Sequence, residues 1–212
     1  MNEKKKSRCF IFGALDVIRF PIQPHDSDMI IAADKGYEKA LSLGLKPDLT
    51  VGDFDSLGET PDAEDVIALP VRKDMTDVGY AVEQGFERGY TEFVIYGAVG
   101  GMLDHTFANV AIAHDIALRG GRAMWIGDEF CLTVLHNDKI EFDARHDGRV
   151  SVFALGGTAR GVTTRGLDYE VEDQTIACSS HIGVSNAFVG QQAAISVADG
   201  DLLIVWQTEN VD

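Results

Sequence analysis

Ile30-Ile31-Ala32-Ala33-Asp34, Leu49-Thr50-Val51-Gly52-Asp53-Phe54-Asp55-Ser56 and Val66-Ile67-Ala68-Leu69, the last running on to Lys73-Asp74-Met75-Thr76-Asp77, repeat one arrangement: a short apolar run, then carboxylates. Runs of this length with turn residues at their ends read as buried strands. The intervening Gly36–Leu43 has a helical pattern that stops at Gly44, a residue suited to a helix C-terminus. The sequence thus alternates strand and helix, which predicts βαβ units and a mostly parallel sheet. Ligands of such sheets bind beyond the carboxyl ends of the strands. The acids that end these strands are therefore expected to converge on one crevice. Packed carboxylates repel one another unless a cation lies among them. Hard oxygen donors suit Mg²⁺ or Mn²⁺ better than zinc, so the cluster points to metal-bound phosphates.

Outward from this core the pattern continues. Cys9–Gly13 precedes it as a strand. Thr76 or Asp77 can cap a helix to about Arg88, with Gly89 beyond its end. Phe93–Tyr96 reads as a further strand, and Leu103–Leu118 as a long helix stopped by Gly120-Gly121. After about residue 122 the texture changes. Ala123–Ile126, Phe130–Leu135, Lys139–Phe142, Arg149–Ala154, Ala193–Val197 and Leu202–Trp206 are short apolar runs separated by Gly, Asp and Asn. That spacing predicts a β-sandwich or barrel. The expected organisation is an α/β domain over residues 1–122 with a mostly parallel sheet and flanking helices, then a C-terminal β-sandwich domain over 123–212.

Of the 212 residues, 45% are hydrophobic, enough for a substantial core. A net charge of −16 argues against nucleic acid as a partner. It would also repel phosphates unless a divalent metal and local cations offset the field. Cys9, Cys131 and Cys178 are three in number and form no C-x-x-C pair, which fits a reducing compartment. The apolar stretch after Lys4-Lys5-Lys6 is too short for a signal peptide, and no run is long enough for a membrane helix. A cytoplasmic location is expected.

Each chemical segment has a plain alternative. Asp53 and Asp55 in D-x-D order can share one face of a strand tip, with Phe54 turned into the core, or can cap amides in a polar turn. Lys73 can meet a phosphate, with Asp74 or Asp77 on a metal, or this stretch can simply start a helix. A helix start itself favours an anion. Gly97-Ala98-Val99-Gly100-Gly101 leads into Leu103-Asp104-His105. Its glycines would let backbone amides approach phosphate, or would merely make a tight turn. Ser185-Asn186 reads by itself as a turn.

Taken together, these segments resemble the thiamine pyrophosphokinase family. The resemblance rests on Asp34-Lys35-Gly36, Leu45-Lys46-Pro47-Asp48, Gly52 to Ser56, Lys73 to Asp77, Gly100 to His105 with Asn109 following, Gly166 to Tyr169, and Ser185-Asn186. It spans about residues 10 to 206. It implies an ATP- and Mg²⁺-binding α/β domain and a thiamine-binding β-sandwich. It also implies a homodimer that binds thiamine between subunits, and transfer of pyrophosphoryl from ATP to the thiamine hydroxyl with release of AMP. By analogy the metal ligands are Asp53, Asp55 and Asp77, and the catalytic candidates are Asp77, Asp104 and Lys73. Asp34, Ser56, Asp74, Thr76, Gly100, Gly101, His105, Asn109, Ser185 and Asn186 are the expected ligand contacts. Two positions depart from the family pattern. Met102 stands where arginine is usual, which removes a bidentate phosphate partner. Lys35 stands where a small residue is common and is the candidate to restore a positive charge. The rival readings are a Mg²⁺-dependent glycosyl- or nucleotidyltransferase using the D-x-D, and a sensor that binds thiamine or nucleotide without turnover.

Overall fold

A computed structural model of the chain describes residues 7–54, 63 and 65–207. The chain divides into two compact units, Met1–Asn109 with Ala123–Gly127, and Val110–Arg122 with Asp128–Asp212.

The first unit is built on β1 (Cys9–Phe12), β2 (Met29–Ala33), β3 (Leu49–Gly52), β4 (Val66–Ala68), β5 (Glu92–Tyr96) and β6 (Arg122–Ile126). Their order across the sheet is β4-β3-β2-β1-β5-β6. The pairings β1–β2, β1–β5, β2–β3 and β3–β4 are all parallel. β1, with its sequence Cys-Phe-Ile-Phe, is wholly buried, as expected of a strand covered on both faces. The helices are α1 (Gly36–Ser42), α2 (Asp77–Glu87) and α3 (Leu103–Leu118), the last continuing into the second unit. Thr76 is the N-cap of α2, and its hydroxyl accepts the Gly79 amide hydrogen at 3.1 Å. The chain steps outward from β1 to β4 and then returns to β5 on the other side of β1. The reversal makes the β1–β5 junction the topological switch point, where open α/β sheets hold their ligands.

Asp28 ties the starts of β1 and β2 together. Its carboxylate accepts the backbone N–H groups of Arg8 (2.8 Å) and His25 (3.0 Å) and pairs with the Arg8 guanidinium (2.8 Å). Desolvation pushes the Asp28 carboxyl up, but these hydrogen bonds and the Arg8 charge outweigh it, and the group sits below the usual carboxylate range. A carboxyl depressed in the folded state stabilises the fold above its unfolded value, near pH 3.9, and loses that contribution as pH falls through the folded value. Asp28→Asn is therefore expected to cost about 1–3 kcal/mol at pH 7. The deficit should shrink as pH falls below about 4. Denaturant melts across pH 2–7 check this; a deficit independent of pH would contradict it.

The second unit contains β7 (Phe130–His136), β8 (Lys139–Phe142), β9 (Arg149–Arg165), β10 (Val171–Ala177), β11 (Asn186–Ala187), β12 (Ala193–Ser196) and β13 (Asp199–Gln207). β9 belongs to two sheets. Its first half pairs antiparallel with β13, which also pairs with β7, and with β11. Its second half pairs antiparallel with β10 and β12, and β12 continues to β8. Phe142 of β8 meets Trp206 of β13 edge to face, ring centroids 5.3 Å apart, and Phe188 at 5.0 Å. The core thus lies between the two sheets, as in a sandwich. Sequence reading ends the fourth β-rich run at Ala154; the strand runs on through Gly156-Gly157 to Arg165. It does so because Ala159, Val162 and Thr164 are buried on the second sheet. β10 escaped sequence reading because most of its residues are exposed and polar.

Candidate active site

The first unit holds a cavity of about 220 Å³ at the switch point. Ala14 and Leu15 line it after β1, Ala33 and Asp34 at the end of β2, and Gly97 and Ala98 after β5. Thr76, Asp77 and Val78 of the α2 start line it too, with Gly101, Met102, His105, Thr106 and Asn109 at the start of α3. The strand ends are brought together by backbone packing. The Gly13 amide donates to the Tyr96 carbonyl (2.8 Å) and the Leu15 amide to the Gly97 carbonyl (2.9 Å). A Cβ on Gly97, whose φ is +64°, would lie 2.6 Å from the Leu15 carbonyl oxygen. No side chain fits there, which makes Gly97 a requirement of the crevice floor.

Acidic groups gather at one edge. Lys73 Nζ lies 2.9 Å from Asp53 Oδ2 and 2.7 Å from Asp77 Oδ1. Desolvation lowers the proton affinity of Lys73, but hydrogen bonds and attraction from Asp77 and Asp53 more than reverse this, and the ammonium is held. The Asp77 carboxyl is pushed above the usual range, chiefly by desolvation and further by the charges of Asp53 and Asp34; Lys73 offsets only part. Asp34 itself adopts φ +51°, and Phe54 adopts φ +57°, both uncommon for residues with a side chain. Backbone strain of this kind collects at functional sites. Gly52 makes room for the turn, since a Cβ there would lie 3.1 Å from Asp34 Cα.

Asp34, Thr76, Asp77, Gly101, His105 and Asn109 come to one cavity, and Asp53 and Lys73 join it through Asp77. Asn109 is buried and its amide donates to the Ala98 carbonyl, fixing the loop after β5. Asp74 and Asp104 are exposed and do not line the cavity; Asp104 Oδ1 accepts the His105 amide at 2.9 Å. Gly100 is beside the cavity but not on its wall. Asp55 and Ser56 lie outside the described residues. The strand-tip argument for Asp53 and Asp55 changes, because β3 ends at Gly52 and the left-handed Phe54 breaks strand alternation. Phe54 is nonetheless buried, as expected. Met102 is on the cavity wall and Lys35 is not. Sequence reading missed Ala14, Leu15 and Val78, which carry no chemical motif and reach the site only through topology.

No set of three His, Cys, Asp or Glu side chains among the described residues is arranged as a ready metal cage. The donor chemistry of Asp53 and Asp77 still fits a hard divalent cation: both are carboxylates, and they draw a cationic group, Lys73, between them.

The second unit has its own cavity of about 320 Å³. Val150, Val152, Leu167, Ile176 and Ile182 give it apolar walls, and Tyr169, Gln174, Ser185 and Asn186 supply polar groups. Ser185 adopts φ +61°, another uncommon backbone state at an expected site residue.

A switch-point crevice edged by carboxylates, a lysine and a helix start marks an open α/β unit with a ligand site of the kind such sheets carry, and a β-sandwich with a cavity of its own follows it in the chain. The family description "Thiamin pyrophosphokinase, catalytic domain" matches residues 24–124, and "Thiamin pyrophosphokinase, vitamin B1 binding domain" matches 137–202. Thiamine pyrophosphokinase of Bacillus subtilis (strain 168) is 23% identical over 186 residues, covering 84% of this chain and 87% of that protein. The crystal structure of thiamine pyrophosphokinase from Bacillus subtilis superposes with a TM-score of 0.83 at 20% identity, covering 96% of this chain and 100% of the other. That of the Geobacillus thermodenitrificans thiamin pyrophosphokinase gives 0.78 at 26% identity, covering 96% and 98%. The chain belongs to the thiamin pyrophosphokinase family.

Proposed function

We propose that this chain is a thiamine diphosphokinase: it transfers the terminal pyrophosphoryl group of ATP to the thiamine hydroxyl, giving thiamine diphosphate and AMP. The observation that carries the reading is the pairing of the two family domains with two separate cavities, one edged by carboxylates and Lys73 and one neutral. ATP and its metal are assigned to residues 1–122 and thiamine to 123–212. The match of the thiamin pyrophosphokinase family over both parts of the chain disfavours the transferase alternative.

The thiamine oxygen attacks the β-phosphorus, the bond from that phosphorus to the oxygen bridging the α-phosphate breaks, and AMP leaves. Lys73 supplies a point charge to the phosphates, and the amides at the start of α2 favour the same anion. The hydroxyl proton passes to a carboxylate. Of the two candidates, Asp77 lines the crevice and Asp104 does not. Mg²⁺ is the expected metal, held by Asp53, Asp77 and Asp55, where it would neutralise phosphate charge. Positioning and electrostatics account for most phosphoryl-transfer catalysis.

Incubation with ATP, Mg²⁺ and thiamine should release AMP and thiamine diphosphate in equal amounts. Binding of thiamine without AMP release would favour the sensor, and hydrolysis of a nucleotide sugar the transferase.

We also assign a homodimer and the cytoplasm. The dimer is supported by exposed Leu103 and Phe107 at the start of α3, apolar side chains outside the cavity wall that suit a covered face. Light scattering should give twice 23.0 kDa; a fully active monomer would refute it. The cytoplasm is supported by three free cysteines, two of them buried, and no described helix is long and apolar enough to cross a membrane.

A further inference from the structure

We propose that Tyr96 is a positioning residue for the switch-point crevice: its hydroxyl pins the loop between β1 and β2, whose first residues form one wall of that crevice, so the wall is set before a nucleotide arrives. The inference rests on the reading that this crevice takes ATP, and deepens it.

Residues 13–28, which join β1 to β2, contain neither helix nor strand. Connections longer than about 12–15 residues without secondary structure are uncommon and usually serve a function. The loop's opening residues, Ala14 and Leu15, line the crevice. Leu15 leans on Gly101 just before α3, since a Cβ on that glycine would lie 2.8 Å from Leu15 Cδ2. Leu15 thus borders the glycine-rich turn where amides could approach phosphate. A slack loop would let this side chain swing into that space or withdraw from it.

Tyr96 ends β5 and holds the loop at two points. Its carbonyl oxygen accepts the Gly13 amide hydrogen at 2.8 Å. Its hydroxyl accepts the Ile22 amide hydrogen at 3.0 Å and donates to the Ile22 carbonyl at 2.9 Å. The chain therefore leaves Tyr96 at Gly13 and returns to the same residue at Ile22, with residues 14–21 between the two ties. One phenolic group serves both main-chain groups of Ile22, as a neighbouring strand would. The hydroxyl is itself fixed, because the Tyr96 side chain is wholly buried. Its ring stacks on Phe12 with centroids 5.7 Å apart, and Phe20 of the loop meets it edge-on at 5.1 Å. Pro21 and Pro24 lie on either side of Ile22 and limit its freedom further. The Leu15 amide bond to the Gly97 carbonyl secures only the near end of the loop. At the far end, the other contact is from the Arg8 guanidinium to the Gln23 carbonyl at 3.1 Å, and it is exposed. The Lys39–Asp16 pair at 2.6 Å is exposed too, and such pairs contribute little in water. A loop ordered on binding weakens affinity; one ordered beforehand avoids that loss.

Tyr96→Phe removes the hydroxyl and keeps the ring, so the aromatic packing survives. Asp53, Lys73 and Asp77 lie on other segments and keep their contacts. The test titrates ATP with Mg²⁺ into wild-type and variant chains by calorimetry, and measures initial rates with ATP and thiamine varied in turn. The variant should bind ATP about 5- to 30-fold more weakly, the loss expected when a few groups must be ordered on binding. Its ATP KM should rise by a similar factor while kcat and the thiamine KM stay unchanged, as for loss of uniform binding. Wild-type ATP affinity in the variant would overturn the proposal. So would a parallel loss of kcat and of thiamine binding, which a general loosening of the fold would produce. Deuterium exchange supplies a check without any variant. In the unliganded wild-type chain the Ile22 amide should be protected, and rapid exchange there would overturn the proposal. Absence of ATP binding by the wild-type chain would instead refute the assigned function, a result distinct from binding that Tyr96→Phe leaves unchanged.

Discussion

Asp53→Asn should cut turnover at least ~100-fold, about 2.7 kcal/mol of transition-state stabilisation, while leaving the fold intact. Asn has nearly the same shape, and its carbonyl oxygen can still accept a hydrogen bond from Lys73. What is lost is charge. Lys73 is bracketed by Asp53 at 2.9 Å and Asp77 at 2.7 Å, and both raise its hold on a proton. Asp53 is also one of the charges that push the Asp77 carboxyl upward. Its removal therefore weakens a proposed metal donor and loosens the lysine. Steady-state kinetics beside a thermal melt would decide the matter. A stably folded Asp53→Asn protein with near-wild-type turnover would take this residue out of the site.

Gly36→Ala should have the largest effect on stability. A Cβ at this buried position would stand 1.8 Å from the carbonyl oxygen of Phe12 and 2.5 Å from its carbonyl carbon. Both are backbone atoms at the end of β1, a strand with no exposed residue, so neither can step aside like a flexible side chain. Relief requires α1 to lift from β1. Ordinary overpacking costs about 1–3 kcal/mol. Here the upper end or beyond is expected, and roughly 3 kcal/mol in a chain of this size lowers the melting temperature by about 6–12 °C. Asp34 precedes this glycine by two residues and would be displaced with it, so activity should fall as well. An unchanged melt would mean that α1 and β1 are not so closely packed.

The α/β half was legible because its signals are local. Buried parallel strands are continuous apolar runs, and acids or glycines end them, so Asp34, Asp53 and Asp77 could be placed before any geometry was known. Ala14 and Leu15 could not. Nothing in their chemistry points to a ligand, and they line the crevice only because the chain reverses across β1 and β5. The pairing of Lys73 with Asp53 was likewise invisible, since it depends on a contact across 20 residues of sequence. In the β-rich half, short apolar runs between turn residues marked β7, β8, β12 and β13. It failed at β10, where only Ile176 is buried. The engagement of Asn186 with Tyr169, 17 residues apart, also lay beyond any local pattern.

β9 makes 17 residues of one strand common property of two sheets. Pulling its first half away exposes β13, and pulling its second half away exposes β12 and β10. Neither sheet can open without loosening the strand on which the other depends. The β unit should therefore lack a soft sub-region within these strands, and its amides should exchange with solvent deuterium through one shared opening event. Interior amides of β9, β12 and β13 would then show closely matched protection. A spread of several kcal/mol between the two halves of β9 would mean that the shared strand does not couple them.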